Sequence, residues 1–419
     1  MEYDFSELPE EIQRLYLLKL PVSDIANYCA VNPSVHKICV DDYFWLLKVE
    51  HDFPGVSQYK PENITYQQQF LDLLNIPEPP IYPKRTIDFD IFVRGEKYLP
   101  NVAAKGGRID LLAVLHRKKY IFNDIITSYA ATSGHIDVLE WLKQKSIVSN
   151  TNTANDACFG GHINVLEWLE VEGILPDQSG VSYACQGGHI NVLEWLEVRK
   201  ILPDGEWAPR SAASYGHIDV LEWLEIRKFL FTVRVANDAC FGGHINVLEW
   251  LEIRGILPNV MGANSACHTG HINVLEWLEI RRILPDVSGA DYAIQYLHPD
   301  VLEWLEIRGI LPDVHGANSA CRNGRINDLE WLEIRGILPD VWGSYFAATW
   351  GHINVLEWLK ERNILPDINT ANNAAYHGQI TVLNWLEQFG IYPTMRGAVR
   401  HDGIVHPEVM TWMASRGIQ

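Results

Sequence analysis

The sequence predicts an all-α protein, an α-solenoid of about twelve 27-residue helix-turn-helix repeats preceded by a small helical domain. A nine-residue marker, Gly-His-Ile-Asn-Val-Leu-Glu-Trp-Leu, is intact at 161–169, 188–196, 243–251, 270–278 and 351–359. Altered copies extend the series from Gly107 to Val405, in steps of 27 residues with a single step of 28. Each predicted helix has about eleven residues at most, which is too short to be stable alone, so successive units must bury one another's apolar sides.

One repeat shows the pattern of the others. Ala154–Gly160 reads as a short first helix, and Gly161 follows as a turn residue that needs freedom in φ. Ile163–Val171 reads as a second helix with one apolar and one acidic face. Gly173 ends this helix, and Pro176 in the recurring Ile-Leu-Pro-Asp loop prevents its continuation. We expect the Ile-Leu pair of that loop to tuck under the stack.

The eighth marker position predicts a packed spine. It is tryptophan in eleven copies: Trp141, Trp168, Trp195, Trp223, Trp250, Trp277, Trp304, Trp331, Trp358, Trp385 and Trp412. An aromatic ladder for ligands is the alternative, but ligand sites vary between copies and this column does not. A tryptophan that packs between helices buries on the order of 200 Å², so the column is expected to contribute much of the core.

Histidine and cysteine columns suggest metal or redox chemistry at first sight. Histidine follows the marker glycine at His135, His162, His189, His217, His244, His271, His298, His352 and His406. Equivalent atoms of stacked helices lie roughly 10 Å apart, so the column cannot converge on one ion, and we expect it to cap the second helix and bond neighbouring backbone. No metal site is predicted.

The cysteines are predicted to be free thiols. Five cysteines stand three residues before the marker glycine, where other copies have alanine: Cys158, Cys185, Cys240, Cys267 and Cys321. This position is therefore predicted to require a small buried side chain. The total of seven cysteines is odd and contains no Cys-x-x-Cys pair, which suits a reducing compartment.

The acidic second-helix face is expected to be a solvated surface. Glu170 and its equivalents form one column, and Arg199 and its equivalents stand two residues beyond that column and should partly neutralise it. A basic partner could use the stripe, but a role in solubility is favoured.

The repeat resembles the ankyrin repeat. The pattern Ala-x-x-Gly-His-x-x-Val-Leu-x-x-Leu followed by glycine carries the resemblance from about residue 98 to 419. The unit is about six residues shorter than the usual 33 and lacks Thr-Pro-Leu-His. The resemblance therefore implies an ankyrin-like stack with short or absent β-hairpin fingers. The short, tryptophan-rich unit is also similar to repeat arrays of giant DNA viruses, which would make this a viral protein.

The two residues before each marker glycine vary between copies, and in ankyrins these positions line the concave face that holds protein partners. Aromatic residues and arginine are enriched in interface hot spots, and random drift at exposed sites is the alternative. The predicted target-binding residues are Phe159, Gln186, Tyr215, Phe241, His268, Tyr296, Arg322, Trp350 and Tyr376.

The first fifty residues resemble an F-box. The match lies in Leu8-Pro9-Glu10-Glu11-Ile12, Leu20-Pro21-x-x-Asp24-Ile25, Ala30-Val31 and Asp41-x-x-Phe44-Trp45-x-x-Leu. In F-boxes the Leu-Pro turn and the following apolar helix face bind the Skp-type adaptor of a cullin-based ubiquitin ligase. The resemblance implies that adaptor contact for Leu8, Pro9, Ile12, Leu20, Pro21 and Ile25. A helical cap over the first repeat is an alternative that can coexist with this role.

These observations divide the chain into an F-box-like helical domain (1–50), a helical extension with a Pro-rich linker (51–97) and the repeat array (98–419). The net charge of −19 argues against nucleic acid and anionic membranes as partners, and the sequence shows no signal peptide or spanning segment. We find no catalytic set, cofactor motif or small-molecule site. The sequence therefore predicts a non-enzymatic, cytoplasmic protein (host cytoplasm if viral), either a ubiquitin-ligase subunit that binds a Skp-type adaptor and an unknown target protein, or an interaction scaffold.

Overall fold

A computed structural model describes residues 9–76 and 99–418, apart from the single residues 32, 55, 62, 204 and 402. Within these ranges the regular structure is helical and no strand occurs. The chain divides into two compact units, Met1–Ala208 and Pro209–Gln419. The first unit begins with α1 (Glu10–Leu18), α2 (Val22–Val31), α3 (Pro33–Cys39), α4 (Asp42–Asp52) and α5 (Tyr66–Leu74).

The remaining helices alternate between the first and second helix of each repeat, as the sequence predicts. In the first unit they are α6 (Leu99–Lys105), α7 (Ile109–Arg117), α8 (Ile125–Thr132), α9 (Ile136–Gln144), α10 (Thr151–Gly160), α11 (Ile163–Val171), α12 (Gln178–Gly187) and α13 (Ile190–Val198). From the unit boundary onward they are α14 (Trp207–Ser214), α15 (Ile218–Ile226), α16 (Val233–Gly242), α17 (Ile245–Glu252), α18 (Val260–Thr269), α19 (Ile272–Ile280), α20 (Val287–Gln295), α21 (Pro299–Glu306), α22 (Val314–Arg322), α23 (Ile326–Ile334), α24 (Val341–Trp350), α25 (Ile353–Glu361), α26 (Ile368–Tyr376), α27 (Ile380–Glu387), α28 (Met395–Ala398) and α29 (Pro407–Ala414).

The first helices of successive repeats pack side by side within each unit. In the first unit α10 contacts both α8 and α12, and in the second unit α18 contacts both α16 and α20. The contact faces consist of small side chains, such as Ala157 and Cys158, that are fully buried. Burial raises the pKa of the Cys158 thiol, which keeps it neutral and unreactive. The interchange of alanine and cysteine therefore reflects close helix packing.

The tryptophan column is buried, as the sequence predicts. Nine of its members are at most 8% exposed, whereas Trp168 and Trp331 are half-buried. In a representative repeat the Arg281 guanidinium lies 3.5 Å from the centroid of the Trp277 ring and donates to both carboxylate oxygens of Glu252, at 2.8 and 2.6 Å. The hydrogen bonds from Arg281 lower the pKa of Glu252.

The same set of contacts recurs along both units and joins neighbouring repeats. Each arginine stacks on the tryptophan of its own repeat and bonds a glutamate 29 residues earlier, in the preceding repeat. The other members are Arg199, Arg254, Arg308, Arg335, Arg362 and Arg416. The predicted neutralisation of the column of Glu170 and its equivalents is confirmed, and the arginine that neutralises each glutamate comes from the next repeat.

The loop between repeats works differently from the expectation. Leu175 and Leu202 are 40% and 50% exposed, so the predicted burial of the Ile-Leu pair is wrong for leucine, whereas Pro176 is buried. The following Asp177 caps the next first helix, since its carboxylate accepts from the backbone N–H of Ser179 at 2.8 Å. The loop motif therefore ends one repeat with its proline and begins the next with its aspartate.

Side-chain hydrogen bonds that the sequence does not predict join several of the first helices to the loop that follows their repeat. Asn155 donates through Nδ2 to Asp177 at 2.9 Å and accepts from the backbone N–H of Asp177 at 3.0 Å. Asn264 bonds Asp286 in the same way. In the repeat of α20 Asp291 stands in place of this asparagine and faces Asp313. Burial and the nearby Asp313 carboxylate raise the pKa of Asp291 to about 6.

Asp291→Asn is expected to stabilise the second unit at pH 8 by about 1 kcal/mol, and by much less at pH 4. A carboxyl group whose pKa is raised in the folded state supports folding below its unfolded pKa, and this support is lost as the pH rises through about 6. A pKa that rises from about 4 to about 6 on folding corresponds to about 3 kcal/mol, which partial solvent exposure of Asp291 reduces. Urea unfolding at the two pH values measures the effect. The reverse change Asn264→Asp should lower the free energy of unfolding at pH 8. An equal gain in stability from Asp291→Asn at both pH values would contradict this account.

The predicted small helical domain consists of the four short helices α1 to α4, and the extension packs on the first repeat. Cys29 and Cys39 lie on α2 and α3 with Cα atoms 6.2 Å apart and are joined by a disulfide, so the expectation of free thiols throughout is wrong for this pair. Arg108 joins Asp72 of α5 to Asp110 of α7, at 2.9 and 2.8 Å. The N-terminal helices therefore contact the first repeat, as a cap would.

No helix in the described ranges is long and apolar enough to cross a membrane. The Pro-rich linker expected after Ile76 lies outside the described residues.

Candidate functional site

The predicted target-binding residues lie at the C-terminal ends of the first helices. Phe159, Phe241 and Trp350 belong to α10, α16 and α24, whereas Tyr215 and Tyr296 directly follow α14 and α20. Because the first helices of neighbouring repeats pack side by side, their ends form one row in each unit. We call this row the helix-end face.

The helix-end face exposes large aromatic side chains. Phe159, Tyr215, Phe241, Tyr296 and Trp350 are 37–55% exposed. Arg322 is also exposed, whereas Gln186, His268 and Tyr376 are half-buried. Several partly exposed aromatic residues in one row are unusual for a surface without a partner. Their role in binding stays a prediction.

Four rings of the second unit form an aromatic cluster on this face, made of Phe241, His268, Tyr292 and Tyr296. The His268 ring centroid lies 5.6 Å from that of Phe241, 3.8 Å from that of Tyr296 and 5.7 Å from that of Tyr292. Burial lowers the pKa of His268, which favours the neutral imidazole. The cluster offers a nearly uncharged aromatic surface that spans three repeats.

Further aromatic residues lie on the first helices of later repeats and of the first unit. The Arg322 guanidinium lies 5.8 Å from the centroid of the Trp350 ring. Trp342, which is 55% exposed, contacts Tyr345 and Phe346 and lines a cleft of about 340 Å³. In the first unit Phe159 and Tyr183 line a larger cleft of about 580 Å³.

The histidine column bonds backbone and does not cap helices through its side chains. His162 stands at the N-cap position of α11 but makes no side-chain capping bond. Its Nε2 lies 3.1 Å from the carbonyl oxygen of Thr132, 30 residues earlier, and His352 contacts the carbonyl oxygen of Arg322 in the same way at 3.1 Å. Because a carbonyl can only accept, Nε2 carries the proton. The predicted bond to neighbouring backbone is confirmed, and the predicted cap is wrong.

Groups of three or more histidine, cysteine or carboxylate side chains that could hold a metal ion do not occur in the part of the chain that the structure describes. The nine histidines of the column belong to nine different repeats.

The predicted adaptor-binding residues fall into two groups. Pro9 and Ile12 are exposed, and Ile12 shares the exposed face of α1 with Leu15 and Tyr16. Ile25 is only 1% exposed and belongs to the core of the N-terminal helices. Of the others, Leu20 is half-buried, Pro21 is exposed and Leu8 lies outside the described residues. The α1 face can therefore contact a partner directly, whereas Ile25 is buried and not accessible for the predicted contact.

A second regular surface is absent from the sequence predictions. Seven of the second helices end near an aliphatic residue that is 77–86% exposed. The members are Val171, Val198, Ile226, Ile253, Ile280, Ile307 and Ile334. The sequence does carry a signal for them, because they stand one residue beyond the acidic column and outside the buried positions of the helix.

The repeated geometry defines a helical-repeat solenoid protein. The sequence matches no protein-family model and no curated protein. Among solved structures the chain is similar to the pentatricopeptide repeat protein PPR10 in complex with an 18-nucleotide psaJ RNA element, at 13% identity and a TM-score of 0.32, with 97% of this chain and 74% of that chain covered. PPR10 from maize matches at 13% identity and a TM-score of 0.31, covering 99% and 72%.

This comparison corrects one prediction about partners. The net charge of −19 predicts that nucleic acid is not a partner, but the helical-repeat structures that the chain resembles include an RNA complex. That prediction is contradicted. Net charge describes the whole surface, whereas a repeat array binds through one local face.

Proposed function

We propose that this protein is a non-catalytic binding module whose array holds a target protein on the helix-end face. The observation that carries the proposal is the contrast between the invariant core and the varied aromatic face. Tryptophan occupies the position of Trp277 in eleven of the twelve copies, whereas the two positions that hold Phe241, His268, Tyr296 and Trp350 vary between copies and remain accessible. Large, rigid side chains lose little conformational entropy on binding and therefore suit an interface.

We further propose that the array is ankyrin-like, that the N-terminal helices are F-box-like, and that the protein recruits targets to a cullin-based ubiquitin ligase in the cytoplasm. The support is the exposed apolar face of α1, where Ile12, Leu15 and Tyr16 are 46–58% exposed. An apolar helix face of this kind suits a helical adaptor that buries it on binding. The contacts between α5 and α7 would then fix the adaptor relative to the first repeats.

Affinity purification of the full chain, with and without ribonuclease, tests the proposal. We expect a Skp-type adaptor and a target protein to be retained after ribonuclease treatment. Ile12→Asp, and Leu8→Asp combined with Pro9→Ala, should remove the adaptor but keep the target, whereas Phe241→Ala with Tyr296→Ala should do the opposite. Loss of all partners with ribonuclease would overturn protein recognition.

The second candidate function is an interaction scaffold without a ubiquitin role, in which the N-terminal helices only cap the stack. The packing of Arg108 on Asp72 favours it. Capture of a target without any adaptor would select this function, and unchanged adaptor capture by Ile12→Asp would exclude the α1 face as the contact.

A further inference from the structure

The first unit contains a cleft of about 580 Å³ along the first helices α6, α8, α10 and α12, and it reaches the helix-end face at Phe159. Its lining combines three aromatic residues, Tyr129, Phe159 and Tyr183, with the carboxylate of Asp156. The Phe159 and Tyr183 ring centroids are 6.4 Å apart and the ring planes stand at 78°, so the two rings form perpendicular walls.

Asp156 is a half-buried carboxylate of this lining. Ser128 donates a hydrogen bond to it, and burial raises its pKa. In the part of the chain that the structure describes, no cation forms an ion pair with Asp156, although Lys105 also lines the cleft. A partly desolvated carboxylate gains most from a cation that enters the cleft.

The second unit contains the same local sequence with the carboxylate already occupied. Residues 154–162 and 236–244 both read Ala-Asn-Asp-Ala-Cys-Phe-Gly-Gly-His, so Asp238 corresponds to Asp156. In the second unit Arg210 donates through Nε to Asp238 at 2.5 Å. Arg210 stands six residues before its marker glycine, and the equivalent residue in the first unit is Ser128.

The two tyrosines around Asp156 are missing around Asp238, where the arginine is present. Tyr129 and Tyr183 stand five residues before Gly134 and Gly188, and serine occupies the corresponding positions, Ser211 and Ser265, around Asp238. The copy with an internal arginine therefore lacks tyrosines, and the copy without it carries them. Aromatic ring faces stabilise a cation, and a guanidinium more than most.

We propose that the cleft around Asp156 binds an arginine side chain of the target protein, in the place that Arg210 fills beside Asp238. The guanidinium would donate to the Asp156 carboxylate and lie against the Phe159 and Tyr183 rings. The proposal rests on the proposed protein-binding function and specifies the partner, a protein that presents an exposed arginine to the first unit.

The probe is N-acetyl-L-arginine amide, titrated into the full chain and followed by ligand-observed NMR. N-acetyl-L-citrulline amide is the control, because its urea group has the same shape without the charge. We expect the arginine derivative to bind about tenfold more tightly than the citrulline derivative, as a charged hydrogen bond predicts. Asp156→Asn should remove the difference, and the matched variant Asp238→Asn should leave it unchanged.

Ser128→Arg provides the second variant, because it copies the Arg210–Asp238 pair and fills the cleft from within. It should abolish binding of the arginine derivative without lowering the melting temperature measured by circular dichroism. Equal binding of the two derivatives, or undiminished binding by Ser128→Arg, would overturn the proposal. Target capture through Phe241 and Tyr296 is measured in parallel, so a failure of this cleft alone is distinguished from a failure of protein binding as a whole.

Discussion

Trp250→Ala is expected to lower the free energy of unfolding of the second unit by about 3–5 kcal/mol, the usual loss for a large aromatic residue in a core. Trp250 is 8% exposed and contacts the Phe231 ring at 5.3 Å between centroids. The Arg254 guanidinium stacks 3.5 Å from its ring centroid and bonds Glu225 of the preceding repeat. The substitution removes the surface that holds Arg254, so it weakens a joint between repeats as well as the core of one repeat.

Urea unfolding followed by circular dichroism measures this loss, and Trp342→Ala is the matched control. Trp342 is 55% exposed, and its removal should change the free energy of unfolding by about 0.5 kcal/mol or less. A smaller slope of the free energy of unfolding against urea concentration for Trp250→Ala would indicate that unfolding starts at the contact between repeats that this variant weakens, as expected for stacked repeats. Equal losses for the two variants would contradict the assignment of the column as the spine.

The repeat period and the spine could be predicted from the sequence because both depend on one unit at a time. Helix length, the turn at Gly161 and the burial of Trp195 follow from local pattern and apolar area. The same reasoning found the varied residues such as Phe159 and Trp350, because it only required a comparison of copies. The fold class therefore follows from the sequence with little further information.

The individual partners in the contacts between repeats could not be predicted because they depend on the register of the stack. Asn155 meets Asp177 22 residues later, and His162 meets the Thr132 carbonyl 30 residues earlier. Neither separation is a multiple of the repeat, so no column comparison reveals the pairs. The exposure of Leu175 has a similar origin, since Pro176 fills the space under the stack that the leucine was expected to occupy.

The contact between the repeats that start at Leu297 and Gly324 differs from the others and shows which residues depend on one another. Gly243 has φ +80°, and a Cβ atom there would lie 2.7 Å from the His271 ring of the next repeat. Leu297 occupies the same position with φ 68°, and the next repeat carries Arg325 in place of histidine. In that joint Asn323 donates to the Gln295 carbonyl at 2.9 Å, the backbone acceptor that a histidine would otherwise contact. Three residues therefore change together where the glycine is lost.

Gly243→Leu is expected to destabilise the second unit by about 3 kcal/mol. A left-handed conformation costs a side chain about 1–2 kcal/mol, and the clash with the His271 ring adds a comparable amount. Adding His271→Arg should recover about 1–2 kcal/mol by removing the ring. The double variant still lacks the bond to the Phe241 carbonyl that His271 provides. Adding Thr269→Asn supplies the amide that Asn323 provides in the natural joint and should recover part of the remainder.

Urea unfolding of the single, double and triple variants measures the expected order of their stabilities. Gly255→Leu separates the cost of the left-handed conformation from the cost of the clash with the His271 ring. Gly255 has φ +75°, and a Cβ atom added there would meet nothing within 4 Å, so leucine should cost only the left-handed conformation and gain nothing from His271→Arg. If Gly243→Leu and Gly255→Leu lose the same stability, the glycine column serves the turn alone. A rescue confined to Gly243→Leu means that the glycine of one repeat and the histidine of the next are a single contact, and that the stack tolerates a new side chain at this position only when both neighbours change.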